Sequence, residues 1–217
     1  MIVSHEHEKY KERWEKSRLD RFNGAYYYSK EIVKNIIPNV KTDRNWVTIN
    51  IPNECYDHSI VFIHNNKQPQ TYDWLKEYKD LVLVCGVPQT VEKVKHLAEH
   101  VVYIPLSVDV SEVAQYIKPK TKYSAFVGRA NKLGGLHFDY PVDIISGMPR
   151  EQILEAMAEY EKVYAVGRCA IEAKVLGCRV EPYDFRYPDP SIWQVVDNLE
   201  AASLLQAELD KIDKGGK

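Results

Sequence analysis

The stretch Val163–Asp184, VYAVGRCAIEAKVLGCRVEPYD, decides the fold class. An apolar run ends at a Gly167–Arg168 corner, a short helix-forming segment follows, and a second run opens at Cys178 with Val180. Strand, tight corner, helix and strand make a parallel βαβ unit, whose corner lies at the carboxyl end of the first strand. There the helix N-terminus directs free N–H groups outward, the kind of place that receives phosphates. Glu172 is expected in the first turn of this helix, beside its apolar face, as an unpaired acid. Two readings of Glu172 stand side by side. It is an acid answering the positive end of the helix, or a carboxylate accepting the hydroxyl hydrogens of a ribose.

Outward from this unit the same alternation continues. WVTINI, SIVFIH, LVLVCGV, VVYIPL, YSAFVG, VDIISG, VYAVG and CRVEPY are short apolar runs rich in β-branched residues. Helix-periodic segments such as QTYDWLKEY, TVEKVKHLAEH, PREQILEAMAEYE and CAIEAKVLG separate several of them. Near-continuous apolar strands alternating with helices indicate parallel sheets covered on both faces. A polar break at Lys118–Lys122, next to Pro119, divides the strands into two smaller sheets and marks a hinge. The expected architecture is α/β, with two Rossmann-like parallel-sheet halves, the N-terminal one reduced. Residues 1–45 are expected as a helical segment, 46–118 as the first half, 119–190 as the second and 191–217 as a C-terminal helix.

Bulk properties narrow the classes. Across 217 residues, 45% are apolar and 28% charged, and the formal net charge is −2. A soluble globular chain fits these values, and they give no global attraction to nucleic acid. No run of about 18 apolar residues is present to span a bilayer, and MIVSHEHEKYKERWEKSR lacks the apolar core of a signal peptide. Four cysteines without CxxC spacing point to a reduced, cytoplasmic setting. The N-terminal charges are those of a solvated helix face, with phosphate contact as the alternative. No GxGxxG, GxxxxGK[ST] or GxSxG occurs, which argues against a dinucleotide oxidoreductase, a P-loop NTPase and an α/β-hydrolase. No HExxH occurs either, so no metal site is expected.

Ligands of parallel α/β sheets lie at the carboxyl ends of the strands. Three such ends carry candidate chemistry. Gly128 and Arg129 close YSAFVG, with Lys132 in the following loop, and two cations there suit a diphosphate; a basic solvent loop is the plain alternative. Gly167, Arg168 and Glu172 form the second. His64 ends SIVFIH, where an imidazole shuttles protons or donates to an oxyanion if it faces a ligand, and is structural if it does not.

In order along the chain, SIVFIHNN, DLVLVCGVPQTVEKV, VVYIPLSVDVSEV, FVGRANKLGGL and IEAKVLGCRV resemble segments of the GT-B retaining glycosyltransferases. The likeness covers Ser59–Asp184 and keeps Ile104, Pro105, Val108, Asp109, Glu172, Ala173, Gly177 and Val180 in register. It implies a nucleoside-diphosphate sugar donor, UDP- or GDP-linked, no separate cofactor and no bound metal. By the resemblance Glu172 holds the donor ribose, Arg129 and Lys132 hold the diphosphate, Gly128 belongs to the donor site, and the Gly167–Arg168 corner closes over the phosphates. His64 stands for the histidine that contacts the transferred sugar. The acceptor is left open between a glycan precursor and a modified DNA base, as is a homo-oligomer. The sequence departs from the pattern at Tyr164, where the family carries the first of two glutamates, and in a shortened N-terminal half. A non-catalytic module that keeps the nucleotide site is the alternative.

Overall fold

The computed structural model describes residues 1–4, 12, 24–48, 54–64, 69–129, 138 and 140–215. They form an α/β chain with two all-parallel sheets that belong to two compact units. One unit is built from Ala25–Leu106, Asn198–Lys217 and the strand at the N-terminus, the other chiefly from Ser107–Asp197.

The first unit has the sheet order β1-β2-β3-β4-β5: β1 (Ile2–Val3), β2 (Asn45–Val47), β3 (Ser59–Ile63), β4 (Leu81–Cys85) and β5 (His100–Tyr103). Every residue of SIVFI and LVLVC is buried, as strands covered on both faces require. Their register puts Ile60 beside Val82 and Phe62 beside Val84 on one face, with Val61–Leu83 and Ile63–Cys85 on the other. The second set joins Tyr72 and Leu75 of a 3-10 helix (Pro69–Glu77) and Val94 of α2 (Pro88–Val94) in one core. On the first face Phe62 meets Tyr28 of α1 (Gly24–Glu31) edge-on and stacks with Trp46. The last helix, α6 (Asn198–Gly215), packs against the turn Ile32–Ile36 and buries Ala201, Ala202, Leu205 and Leu209.

Three expectations are corrected here. The first 45 residues are not only helical, because Ile2–Val3 pairs with Trp46–Val47 as the edge of the sheet; two residues are too few to register as a period. The C-terminal helix starts at Asn198, because Asp189 caps a separate turn at Pro190–Ile192 and Asp197 bridges to Val108. The lysines of the polar break lie inside the second unit. Lys118 and Lys122 pair with Glu159, while Lys120 reaches the carbonyls of Ala158 and Leu176.

The second unit has the order β7-β6-β8-β9: β6 (Lys122–Val127), β7 (Asp143–Ile145), β8 (Tyr160–Tyr164) and β9 (Arg179–Glu181). Among the described residues, three α-helices belong to it: α3 (Val110–Ala114), capped by Asp109, α4 (Arg150–Met157) and α5 (Arg168–Val175). The order decides where a ligand fits. β6 comes first in the chain yet lies between β7 and β8, so the winding reverses at β6. In open parallel sheets the crevice for ligands opens at such a reversal, outside the carboxyl ends of the strands. The first sheet runs in sequence order and has no reversal among the described strands. No helix among the described residues is long and apolar enough to cross a membrane.

Candidate functional site

The reversal point places two of the sequence motifs side by side. Phe126 of β6 is in register with Tyr164 of β8, so Gly128–Arg129 and Gly167–Arg168 both emerge beyond the carboxyl ends of adjacent strands. Space is tight at Gly128: a β-carbon there would lie 3.0 Å from the Phe126 ring and 3.4 Å from the Tyr183 hydroxyl, so these side chains would have to give. Gly167 is required by the backbone: it stands at φ 64°, ψ −139°, a region open to little besides glycine. No atom lies within 4 Å of where its β-carbon would be, so the corner faces open space. Arg129 is exposed. Lys132 lies outside the described residues.

Glu172 differs from its sequence reading in two respects. Arg168 opens α5 and no acid lies in its first turn, so Glu172 stands one turn further in, where the terminal charge of the helix has faded. Its side chain is 2% exposed, and Oε1 accepts hydrogen bonds from Arg150 Nε at 3.1 Å and Arg168 Nη2 at 3.3 Å. Arg150 also donates from Nη1 to Glu112 of α3 at 2.5 Å. A chain of alternating charge, Glu112–Arg150–Glu172–Arg168, thus ties α3, α4 and α5 together inside the second unit. Both arginines are the first residues of their helices, where a cation opposes the macrodipole. Two buried cations in that position are a local cost, of the kind proteins accept at functional sites.

Sequence reasoning missed Arg150, and it missed a second group on the same sheet. Tyr164, the last residue of β8, shares a 3.0 Å hydroxyl–hydroxyl hydrogen bond with Tyr140 and packs edge-on against Phe138. The buried Lys162 ammonium donates to the Tyr140 hydroxyl and lies over the rings of Tyr123 and Tyr140. Lys162 and the bond from Tyr164 hold the Tyr140 phenol below its ordinary range. Burial and the Tyr140 bond push Tyr164 up to about 12. At the position where a second acid was sought, the chain therefore has a phenol that stays neutral at physiological pH. The period of two along β8, which puts Lys162 and Tyr164 on one face, was the available signal for this pair.

His64 follows β3 in the first unit. Its Nε2–H donates to the Thr48 carbonyl at 2.5 Å, which makes Nδ1 the basic nitrogen of the neutral ring. Tyr28 meets the imidazole edge-on at 5.3 Å, and the next residue, Ser29, shares a buried 2.8 Å hydroxyl pair with Thr48. No disulfide joins the four cysteines, and all four are buried. Burial pushes the Cys85 thiol up to about 12. Among the described residues no group of three or more His, Cys, Asp or Glu side chains is placed to hold a metal ion.

No family model, curated protein or solved structure matches the chain.

Proposed function

We propose that the chain is a glycosyltransferase of GT-B type, whose nucleoside-diphosphate sugar binds at the carboxyl edge of the second unit. The observation that carries this reading is the reversal of winding at β6, which sets Gly128–Arg129 and Gly167–Arg168 beside each other at the edge where parallel sheets bind nucleotides. In this role Arg129, Arg168 and Lys132 neutralise the diphosphate, and the Gly167 corner lets the backbone approach it. Glu172 accepts the ribose hydroxyls once the incoming diphosphate draws Arg168 away from Oε1. His64 belongs to the first unit, and the substitution described below decides whether it takes part in transfer.

Negative charge grows on the diphosphate as the glycosidic bond breaks, so arginines aimed at it stabilise the transition state more than the bound donor. Tyr164 supports the second reading, a nucleotide-sugar-binding protein without transfer activity. A neutral phenol held by Tyr140 cannot supply the negative charge of the family's first glutamate.

Thermal unfolding with millimolar UDP- and GDP-sugars tests both readings, since a ligand that binds only the folded chain raises the melting temperature. A rise that is lost in Glu172→Ala supports the donor site; no rise with any nucleotide sugar overturns it. Release of free sugar or transfer to an acceptor then separates an enzyme from a binding protein. The same activity surviving His64→Ala removes that histidine from the reaction. If the acceptor is DNA, its binding weakens steeply with added salt.

A further inference from the structure

We infer that Tyr140 is a nucleophilic site of the second unit, a phenol that Lys162 and Tyr164 activate toward group-transfer electrophiles, those whose leaving group departs as an anion. It stands independently of the donor reading, which gives Tyr140 and Lys162 no part in the reaction.

The geometry brings two hydrogen-bond donors to one oxygen. Side chains alternate along β8, so Lys162 and Tyr164 leave the sheet on the same face. The Tyr140 hydroxyl meets both: it accepts from the Lys162 ammonium and lies 3.0 Å from the Tyr164 hydroxyl. An ammonium has donors only, so the Tyr140 oxygen is the acceptor in the first bond. In the second, Tyr164 supplies the hydrogen, because it is the harder phenol to ionise. Burial and the Tyr140 bond push Tyr164 up to about 12 against the pull of Lys162, and Glu181, beside it on β9, adds to this. Lys162 is 6% exposed and lies over the Tyr140 ring at 4.5 Å and the Tyr123 ring at 5.0 Å. A cation so far from water is better matched by a phenolate than by a phenol.

Hydrogen bonds given to an oxygen strengthen when that oxygen carries charge, so both contacts favour ionised Tyr140. The bond from Lys162, and then that from Tyr164, hold Tyr140 below its ordinary 10. Tyr160, on the same strand, is the contrast: its hydroxyl donates to Asp143 at 2.8 Å, and burial followed by that bond raises it. A tyrosine oxygen attacks once it has lost its proton. Attack forms a bond from the Tyr140 oxygen to the electrophilic atom and breaks the bond to the leaving group, which departs with the electron pair. The phenolic proton has passed to solvent beforehand, and Lys162 keeps its own throughout. Tyr140 is half-buried, and the Tyr123 ring edge-on against it at 5.2 Å is 56% exposed, so the cluster reaches solvent. Phe138 packs on Tyr164 at 4.7 Å, and these rings suit an electrophile carrying an aryl or other apolar group.

The experiment is labelling of the full chain with an aryl sulfonyl fluoride, whose S–F bond breaks with loss of fluoride, read by peptide mass spectrometry. Near neutral pH, Tyr140 should be modified at least tenfold faster than the more exposed Tyr123. Its rate should rise with pH and level off as the phenolate becomes the main form. In Lys162→Met the rate at neutral pH should fall at least tenfold, and in Tyr164→Phe about threefold, with the rise moved to higher pH in both. Tyr164→Phe removes one oxygen and keeps the ring, so the test remains decisive if Lys162→Met fails to fold. Labelling of Tyr123 as fast as Tyr140 would overturn the inference. A pH profile that a folded variant leaves unmoved would do so too, even with slower labelling, since Lys162 and Tyr164 would then only shape the surroundings. The outcome with nucleotide sugars does not enter, so this inference and the donor reading fail separately.

Discussion

Gly167 and Glu172 illustrate different reasons for a residue to be irreplaceable. At Gly167 the space is open and the backbone is not, so Gly167→Ala meets no clash but holds alanine at φ 64°. It should cost about 1–3 kcal/mol in urea unfolding. At Glu172 the backbone is ordinary and the charge is not. Glu172→Gln keeps the volume but leaves Arg150 and Arg168 buried with a neutral partner, a loss of about 3–5 kcal/mol. A Glu172→Gln chain as stable as the wild type would show that the ion chain is not maintained in solution. Gly128, Arg129, Gly167, Arg168 and Glu172 could be singled out as candidates from residue type and position after an apolar run, and the structure places the two Gly-Arg corners after adjacent strands. Arg150 could not, because its contact with Glu172 joins residues 22 apart on separate helices. In the sequence it is only an arginine after Pro149 at a helix start.

At the scale of elements, each strand read from β-branched runs is present, since parallel strands buried on both faces leave a continuous apolar signal. What the sequence did not disclose is what holds the element ends, because capping partners are distant along the chain. Lys120 Nζ lies 2.8 Å from the Ala158 carbonyl and 2.7 Å from that of Leu176, at the C-terminal ends of α4 and α5. Lys120→Met removes a cation from both negative helix ends and should cost about 2 kcal/mol, read by chemical unfolding.

At the amino ends of the first sheet, His58 stands between Asp80 and Asp43, just before β3, β4 and β2 respectively. Its bonds to Asp80 and then Asp43 raise its pKa above the ordinary 6.5. Bonding to His58 lowers Asp43 from 3.8; Asp80 is pushed up by burial, but its bonds to His58 and Arg44 outweigh this and lower it. The protonated imidazole stabilises the fold fully below pH 6.5, and that contribution is lost as pH rises through the raised value. The carboxylates contribute above pH 3.8, and this is lost as pH falls through their lowered values. The urea midpoint should therefore drop between pH 6 and pH 9 in the wild-type chain and drop less in His58→Asn, a residue that tolerates the positive φ of 56° at this position.

At the scale of the molecule, the division into two parallel-sheet units was legible and its boundaries were not. The chain leaves the first unit after Leu106 and returns to it at Asn198. A polar, proline-bearing stretch looked like a hinge, yet its lysines are fastened to Glu159 and to helix ends inside the second unit. The return has a measurable consequence. Truncation after Asp197 removes Ala201, Ala202, Leu205 and Leu209 from the core, and these residues belong with the N-terminal sheet. Hydrogen exchange should then accelerate in β3 and β4, distant along the chain, and much less in β6 and β8. Equal acceleration in both sheets would contradict the assignment of α6 to the first unit.

The return of α6 also sets an order of assembly during synthesis. A ribosome delivers Ser107–Asp197 before it delivers α6, the last piece of the first unit. The part translated first is thus the last to acquire its full core, and a nascent chain halted at Asp197 would present the α6-facing surface of that earlier part to chaperones, with strands β6 and β8 already paired.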